Sequence, residues 1–233
     1  MKSELMKNSN RRPWTGLAAF TLIELLVVIA IIGVLAALIF PAMKGVKERA
    51  MRAKVQAEVK QLESSIESYK AKYGHYPPDN PGLPALNQLF YELQGTIKTK
   101  VGAAVVFQTL DARNNIPVAS VSTVFGPGVS GFVNCTKEGG GDDFGAAQKF
   151  ISGLSPGQYR FLASGGGLLT CTIPWPPNLG PVIPMEAADL NPMRYNSSSP
   201  TNNPKSYDLW VDIFVGGKTN RISNWSKQYE VVY

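Results

Sequence analysis

The hydrophobic rhythm of the chain changes along its length. Leu25 to Phe40 is an unbroken apolar run of 16 residues, and counted from Phe20 the segment reaches 21 residues with one acid, Glu24. As a helix it measures about 32 Å, roughly the thickness of one hydrocarbon core. From Ala42 the apolar residues thin to one helical face. Met51, Val55, Val59, Leu62, Ile66, Tyr69 and Tyr73 recur at spacings of 4, 4, 3, 4, 3 and 4, with charged residues between them. The stripe lasts about three heptads, which is short for a coiled coil, so it predicts a face packed on the chain's own sheet. Gly74 and Pro77-Pro78 end the pattern. One helix over Phe20 to Tyr73 holds 54 residues, roughly 80 Å. Pro41 stands at the end of the apolar run, where it either bends the helix or ends its apolar part.

Beyond Gly74 the pattern shortens. Tyr76 to Gly82 is rich in proline and turn residues, and Leu86 to Leu93 reads as a short helix. Val101 to Leu110, Ala119 to Phe125, Tyr159 to Ala163 and Leu168 to Ile173 are the strand candidates of the middle region. Ser197 to Pro204 is a surface loop by composition. Near the C-terminus the period becomes two. Tyr207, Leu209, Val211, Ile213 and Val215 alternate with Asp208, Trp210, Asp212 and Phe214, which predicts a strand with one apolar face. Gly216 to Asn220 turns the chain, Arg221 to Trp225 returns it, and Glu230 to Tyr233 supplies a third strand.

Charge adds little to this picture. The formal net charge is +6 over 233 residues. Residues 1–19 carry four basic residues against one acid, so about half of the excess is local. What remains is too mild to imply nucleic acid. Cys135 and Cys171 lie in no CxxC pair and His75 is the one histidine, so a zinc site is not expected. His75 sits among helix-end residues, and Asp142-Asp143 lies in a glycine-rich stretch, so neither points to catalysis. Gly139 to Gly141 and Gly165 to Gly167 lack the Lys-Ser/Thr or helix start that phosphate binding needs. The chain is read as not an enzyme. In an oxidising compartment Cys135 and Cys171 are a possible disulfide. Glu24 is the notable group, because an acid in a membrane segment is a functional-site hypothesis by default.

Phe20-Thr21-Leu22-Ile23-Glu24-Leu25-Leu26-Val27-Val28-Ile29 resembles the N-terminal motif of type IV prepilins and type II secretion pseudopilins. The resemblance implies a leader over 1–19, cleavage between Ala19 and Phe20, and methylation of the new Phe20 amine. Glu24 takes the position of the family's assembly glutamate. The family usually has glycine before the scissile bond, where this chain has Ala19. The same resemblance implies an α+β, pilin-like fold. A long helix over 20–73, its first half membrane-spanning, packs on a C-terminal antiparallel β-sheet domain over 74–233. Tyr207-Asp208-Leu209-Trp210, Gly216-Gly217 and Ile222 to Trp225 look like the end of major-pseudopilin domains, and 96–200 reads as an enlarged variable region. Some of those domains hold calcium in their last loop. Here that loop has no acid, and Asp208 and Asp212 are the only weak candidates. The partners implied are other pilin-like subunits, a prepilin peptidase and an inner-membrane assembly platform. The location implied is the inner membrane in a single pass, with the C-terminal domain in the periplasm. A type II secretion pseudopilus is the expected assembly. A type IV pilus, or a membrane-tethered binding module that uses the helix only as an anchor, is the alternative.

Overall fold

The computed structural model describes residues 20–136, 145–185 and 187–232, without the side chains of residues 39–44. The chain divides into two units, Met1–Val46 and Lys47–Tyr233. Helix α1 runs from Leu22 to Tyr73 and belongs to both. Among the described residues no helix is long and apolar enough to cross a membrane. The span expected from the sequence draws on Ile39 and Phe40, whose side chains lie outside those described.

The second unit starts at Lys47, inside the helix. The reason is the apolar stripe. Val55, Val59, Leu62, Ile66 and Tyr69 are all buried, with Met51 and Tyr73 packed at the ends of the same cluster. Gly74 then takes a positive φ of 79° and its N–H closes on the Lys70 carbonyl at 2.8 Å. Glycine adopts that conformation without a Cβ penalty, so the helix stops there.

Two four-stranded sheets and a hairpin follow, as the α+β reading expects. The first sheet has the order β3-β2-β1-β4, built from β1 (Thr96–Val101), β2 (Ala104–Thr109), β3 (Asn115–Pro117) and β4 (Cys135–Thr136). Its β1–β4 pair is parallel and its other pairs are antiparallel. β5 (Tyr159–Phe161) and β6 (Gly167–Leu169) form the hairpin. The second sheet, β10-β9-β8-β7, is antiparallel throughout. It comprises β7 (Arg194–Asn196), β8 (Asp208–Val215), β9 (Lys218–Ser223) and β10 (Glu230–Val232). β8 turns Leu209, Val211, Ile213 and Val215 into the cluster that holds the α1 stripe. Gly216 and Gly217, with φ of 67° and 78°, are the whole turn between Val215 and Lys218. Two successive positive φ values match the right-handed twist of the strands they join.

The middle region departs from the sequence reading. The short helix expected at Leu86–Leu93 is α2, Leu89–Gln94. Ala119 to Phe125 is not a strand: it is a 3-10 turn followed by helix α3, Val121–Phe125. Val121, Val124 and Phe125 are its buried residues, and that i, i+3, i+4 spacing is helical. Phe125 and Phe132 close on Tyr91, whose ring stacks on Phe132 at a centroid distance of 4.3 Å.

Candidate assembly segment

The N-terminal unit starts with a reciprocal cap. Thr21 lies just before α1, and its Oγ1 accepts the Glu24 N–H at 3.2 Å. Glu24 Oε2 in return accepts the Thr21 N–H and hydroxyl, each at 2.8 Å. The Thr21 carbonyl takes the first helical bond, from the Leu25 N–H at 3.3 Å. Thr-x-x-Glu is the capping-box pattern, which satisfies two otherwise orphaned donors. A carboxylate in the first turn also faces the positive end of the helix dipole. The signal stood in the sequence as Thr21 and Glu24, three residues apart. Glu24 is thus not an unpaired acid. One oxygen caps the helix, and its Oε1 makes no hydrogen bond among the described residues.

Phe20 precedes the cap and is exposed, and Ala19, on the other side of the candidate scissile bond, lies outside the described residues. From Leu22, 81 % exposed, to Leu38, 68 %, every large apolar side chain of the segment is exposed. Apolar groups point in all directions around the helix, with no polar face. A helix of that kind is suited to lipid or to packing among other helices.

The other candidates fare differently. Asp208 Oδ2 accepts the Thr201 and Asn202 N–H groups at 2.9 and 3.0 Å, and Oδ1 accepts that of Asn203 at 2.8 Å. The Thr201 hydroxyl and the Asn202 side-chain amide add to them. Burial alone would raise the pKa of Asp208, but these donors outweigh it and hold the carboxyl below its ordinary value. Asp212 is held by Arg221 through two bonds of 2.8 and 3.0 Å. Both carboxylates are therefore occupied by donors, and a calcium ion would meet N–H groups and guanidinium where it needs free oxygen. The turn after β8 has no acid, and the Asn220 side-chain amide of β9 donates to the Val215 and Lys218 carbonyls on either side of it. These residues do not fit calcium.

Cys135 and Cys171 are both free thiols, so the possible disulfide is not formed in this structure. Cys135 lies on β4, and its Sγ donates to its neighbour's carbonyl, Thr136 O. Cys171 follows β6, buried, where its Sγ accepts the Ile173 N–H at 3.3 Å. Burial pushes its thiol up to about 12. His75 sits past the helix end with Nδ1 at 2.8 Å from the Tyr76 carbonyl oxygen. Asp142-Asp143 and Gly139 to Gly141 lie outside the described residues.

Three acids outside the sequence candidates are anchors. Glu92 is fully buried and accepts the Val133 N–H, the Asn134 N–H and the Tyr69 hydroxyl at 2.8 to 3.0 Å. Glu58 on α1 accepts the Thr172 N–H at 3.2 Å and the Thr172 hydroxyl. Asp79 takes the Ser197 and Ser198 N–H groups at 3.0 and 3.1 Å. Each ties a long loop to a helix or to the connector after it.

Two family profiles match the chain. The Prokaryotic N-terminal methylation motif covers residues 18–40, and Type II secretion system (T2SS), protein G, covers residues 42–94. The Type II secretion system core protein G of Escherichia coli (strain K12) is 46 % identical over 67 residues, 29 % of this chain and 46 % of that one. That of Vibrio cholerae is 39 % identical over 67 residues, again 29 % and 46 %. The Type IV major pilin protein PilE of Neisseria gonorrhoeae is 32 % identical over 95 residues, 41 % of this chain and 57 % of that pilin. The chain spans about half the length of the curated relatives it matches. No solved structure matches it. The similarity to both profiles lies within residues 18–94.

Proposed function

We propose that this chain is a structural subunit of a type II secretion pseudopilus. A prepilin peptidase removes residues 1–19 between Ala19 and Phe20, and the new Phe20 amine is methylated. The apolar segment holds the subunit in the inner membrane in a single pass, with the globular unit in the periplasm. An inner-membrane platform then adds subunits to a fibre whose core is made of the apolar helices. The chain carries no catalytic role in this scheme.

The observation that carries the reading is the capped helix, apolar on every side, within the segment matched by the methylation-motif profile. Lipid suits such a surface, and so does a bundle of copies. Glu24 supports both stages. Its Oε2 is internally satisfied while the subunit waits, and its Oε1 can receive the Phe20 ammonium of a neighbour in the fibre. Each charge alone is expensive to bury, so the pair sets the axial register. A type IV pilus is the second reading, favoured by the longer stretch matched in the gonococcal pilin.

Co-expression with secretion or pilus components tests both. A mature mass starting at N-methylated Phe20, with the chain in the sheared fibre fraction and cargo secreted, is the expected result. An intact leader with only monomers, as a plain anchor would give, overturns it. Fibres without secretion but with surface motility move the assignment to the pilus.

A further inference from the structure

The face of β8 turned away from the α1 stripe carries two arginines around one acid. Arg221 of β9 grips Asp212 through two bonds. Arg194 of β7 comes only within 3.7 Å of Asp212 Oδ2, with its side chain 14 % exposed. Its Nη1 is buried and has no hydrogen-bond partner among the described residues. A guanidinium carries five donors in a planar fork, suited to a carboxylate. The pair of arginines thus exceeds the charge of Asp212 by one. The other acids of that face are Asp208, occupied by the N–H groups of residues 201–203, and Glu230 of β10, opposite Arg221 and three strands from Arg194.

A cleft of about 270 Å³ opens over this group, walled by Leu83, Pro84, Ile183 and Trp210 with the two arginines. Trp210 is held by Trp225 at a ring distance of 5.8 Å, and the Arg221 guanidinium lies 5.9 Å from the Trp210 ring. Ile183 is 86 % exposed, an apolar edge presented outward. The volume suits one side chain, since pockets for cofactors and drug-sized ligands start near 300 Å³.

We propose that this cleft docks an acidic residue in an extended peptide segment of another protein. Arg194 and Arg221 receive its carboxylate, and Leu83, Pro84 and Ile183 cover the apolar residue beside it. Arg221 is already held by Asp212 while Arg194 makes no close bond to it, and one free guanidinium suits a single carboxylate better than a phosphate dianion. The apolar walls favour a peptide over an acidic sugar, whose hydroxyls would need polar partners around the indole.

The test is an NMR titration of the full chain in detergent, labelled with ¹⁵N at arginine and tryptophan side chains. The probes are acetyl-Leu-Glu-Leu-amide, acetyl-Leu-Gln-Leu-amide and glucuronate. The glutamate peptide should shift the Trp210 indole and Arg194 Nε–H signals to saturation, and the glutamine peptide should bind about tenfold more weakly, the ratio one charge-assisted hydrogen bond carries. Arg194→Leu removes a poorly paired cation and keeps the Asp212–Arg221 pair. It should fold, with affinity for the glutamate peptide lowered about tenfold or more. Should it fail to fold, Arg194→Lys keeps the charge without the fork and should weaken binding several-fold. Equal binding of both peptides, unchanged affinity in the arginine variant, or saturation by glucuronate alone overturns the proposal. So does a shift of the same signals on Glu186→Gln without any probe, because an acid of the chain itself would then be filling the cleft in cis.

Discussion

In the first half of α1, from Leu22 to Leu38, the large apolar side chains are exposed; in the second half, Val55, Val59, Leu62, Ile66 and Tyr69 are buried. The difference lies in how the residues are arranged around the helix. In the second half, spacings of 3 and 4 leave a polar face for water, so one stripe suffices and the chain's own sheet covers it. In the first half no face is polar, and a folded sheet could cover only one side. The apolar surface there calls for an environment that surrounds the helix. Two uses of one helix are thus written as two periodicities.

The largest effect that would break this comparison comes from trimming one side chain in each half. Ile66→Ala should cost about 2–5 kcal/mol of globular-unit stability, as a cavity in a packed core does. Val28→Ala should stay within about 0.5 kcal/mol, as for an exposed site. Denaturant unfolding of the full chain in detergent measures both. Equal losses would mean that the first half is also packed on the globular unit.

The second half also reaches a buried acid, because its Tyr69 hydroxyl donates to Glu92. Burial raises the pKa of Glu92, against the pull of its three donors. The unfolded value is about 4.3. With the folded value above it, the contribution of Glu92 is fullest below the unfolded pKa and declines as pH rises through the folded one. Glu92→Gln loses an acceptor and should be about 1–3 kcal/mol less stable at pH 4. That deficit should shrink as pH rises, because only the parent pays the ionisation penalty. A deficit that widens with pH refutes the sign.

These acids mark where the sequence stopped being legible. Glu58 and Glu63 look alike in the sequence, both set between stripe positions. Yet Glu58 is 6 % exposed and bound to Thr172, while Glu63 pairs with Lys60, whose side chain is 62 % exposed. The partner of Glu58 lies 114 residues away, and no local pattern reports it. The stripe of α1 and the alternation of β8 were readable because each spans several periods. β4 has two residues and β3, β5, β6 and β7 three each, too short to show a period. Between them, loops contribute Phe132, Ile151 and Met185 singly to the core. The Val121–Phe125 helix was missed because β-branched composition outweighed its spacing. Ala19 and Phe20 came from the motif, whereas the Thr21–Glu24 cap was legible and unread.

Glu58 and Glu63 give the next prediction. Glu58→Ala leaves the half-buried Thr172 N–H without its acceptor and should cost about 1–3 kcal/mol. Glu63→Ala should cost no more than about 1 kcal/mol, the range of exposed pairs. Comparable losses in thermal unfolding would mean that the polar side of the second half is uniformly solvated or uniformly packed.

The smallest effect on the fold is expected at the start of α1, where it separates the two roles of Glu24. As a cap, Glu24 acts with Thr21: Thr21→Ala removes the two bonds of the hydroxyl and Glu24→Leu the two bonds of the carboxylate, so either breaks the reciprocity. Thr21→Ala should cost about 1 kcal/mol of local helix stability and leave the globular unit untouched, since that unit starts at Lys47. As the partner of a neighbour's amine, Glu24 acts through its charge, which Thr21→Ala keeps. The two substitutions therefore diverge only if the carboxylate works between subunits. Thr21→Ala should then assemble nearly as well as the parent, while Glu24→Leu should lose most of its fibre yet remain in the membrane fraction. Glu24→Gln sharpens the point, because an amide oxygen still accepts from Thr21 but carries no charge, and it should fail like the leucine variant. Fibre yield by shearing, beside protease resistance of the globular unit, reads all three. If Thr21→Ala and Glu24→Leu lose fibre equally, the glutamate serves the helix start alone, and register between subunits must come from the apolar side chains.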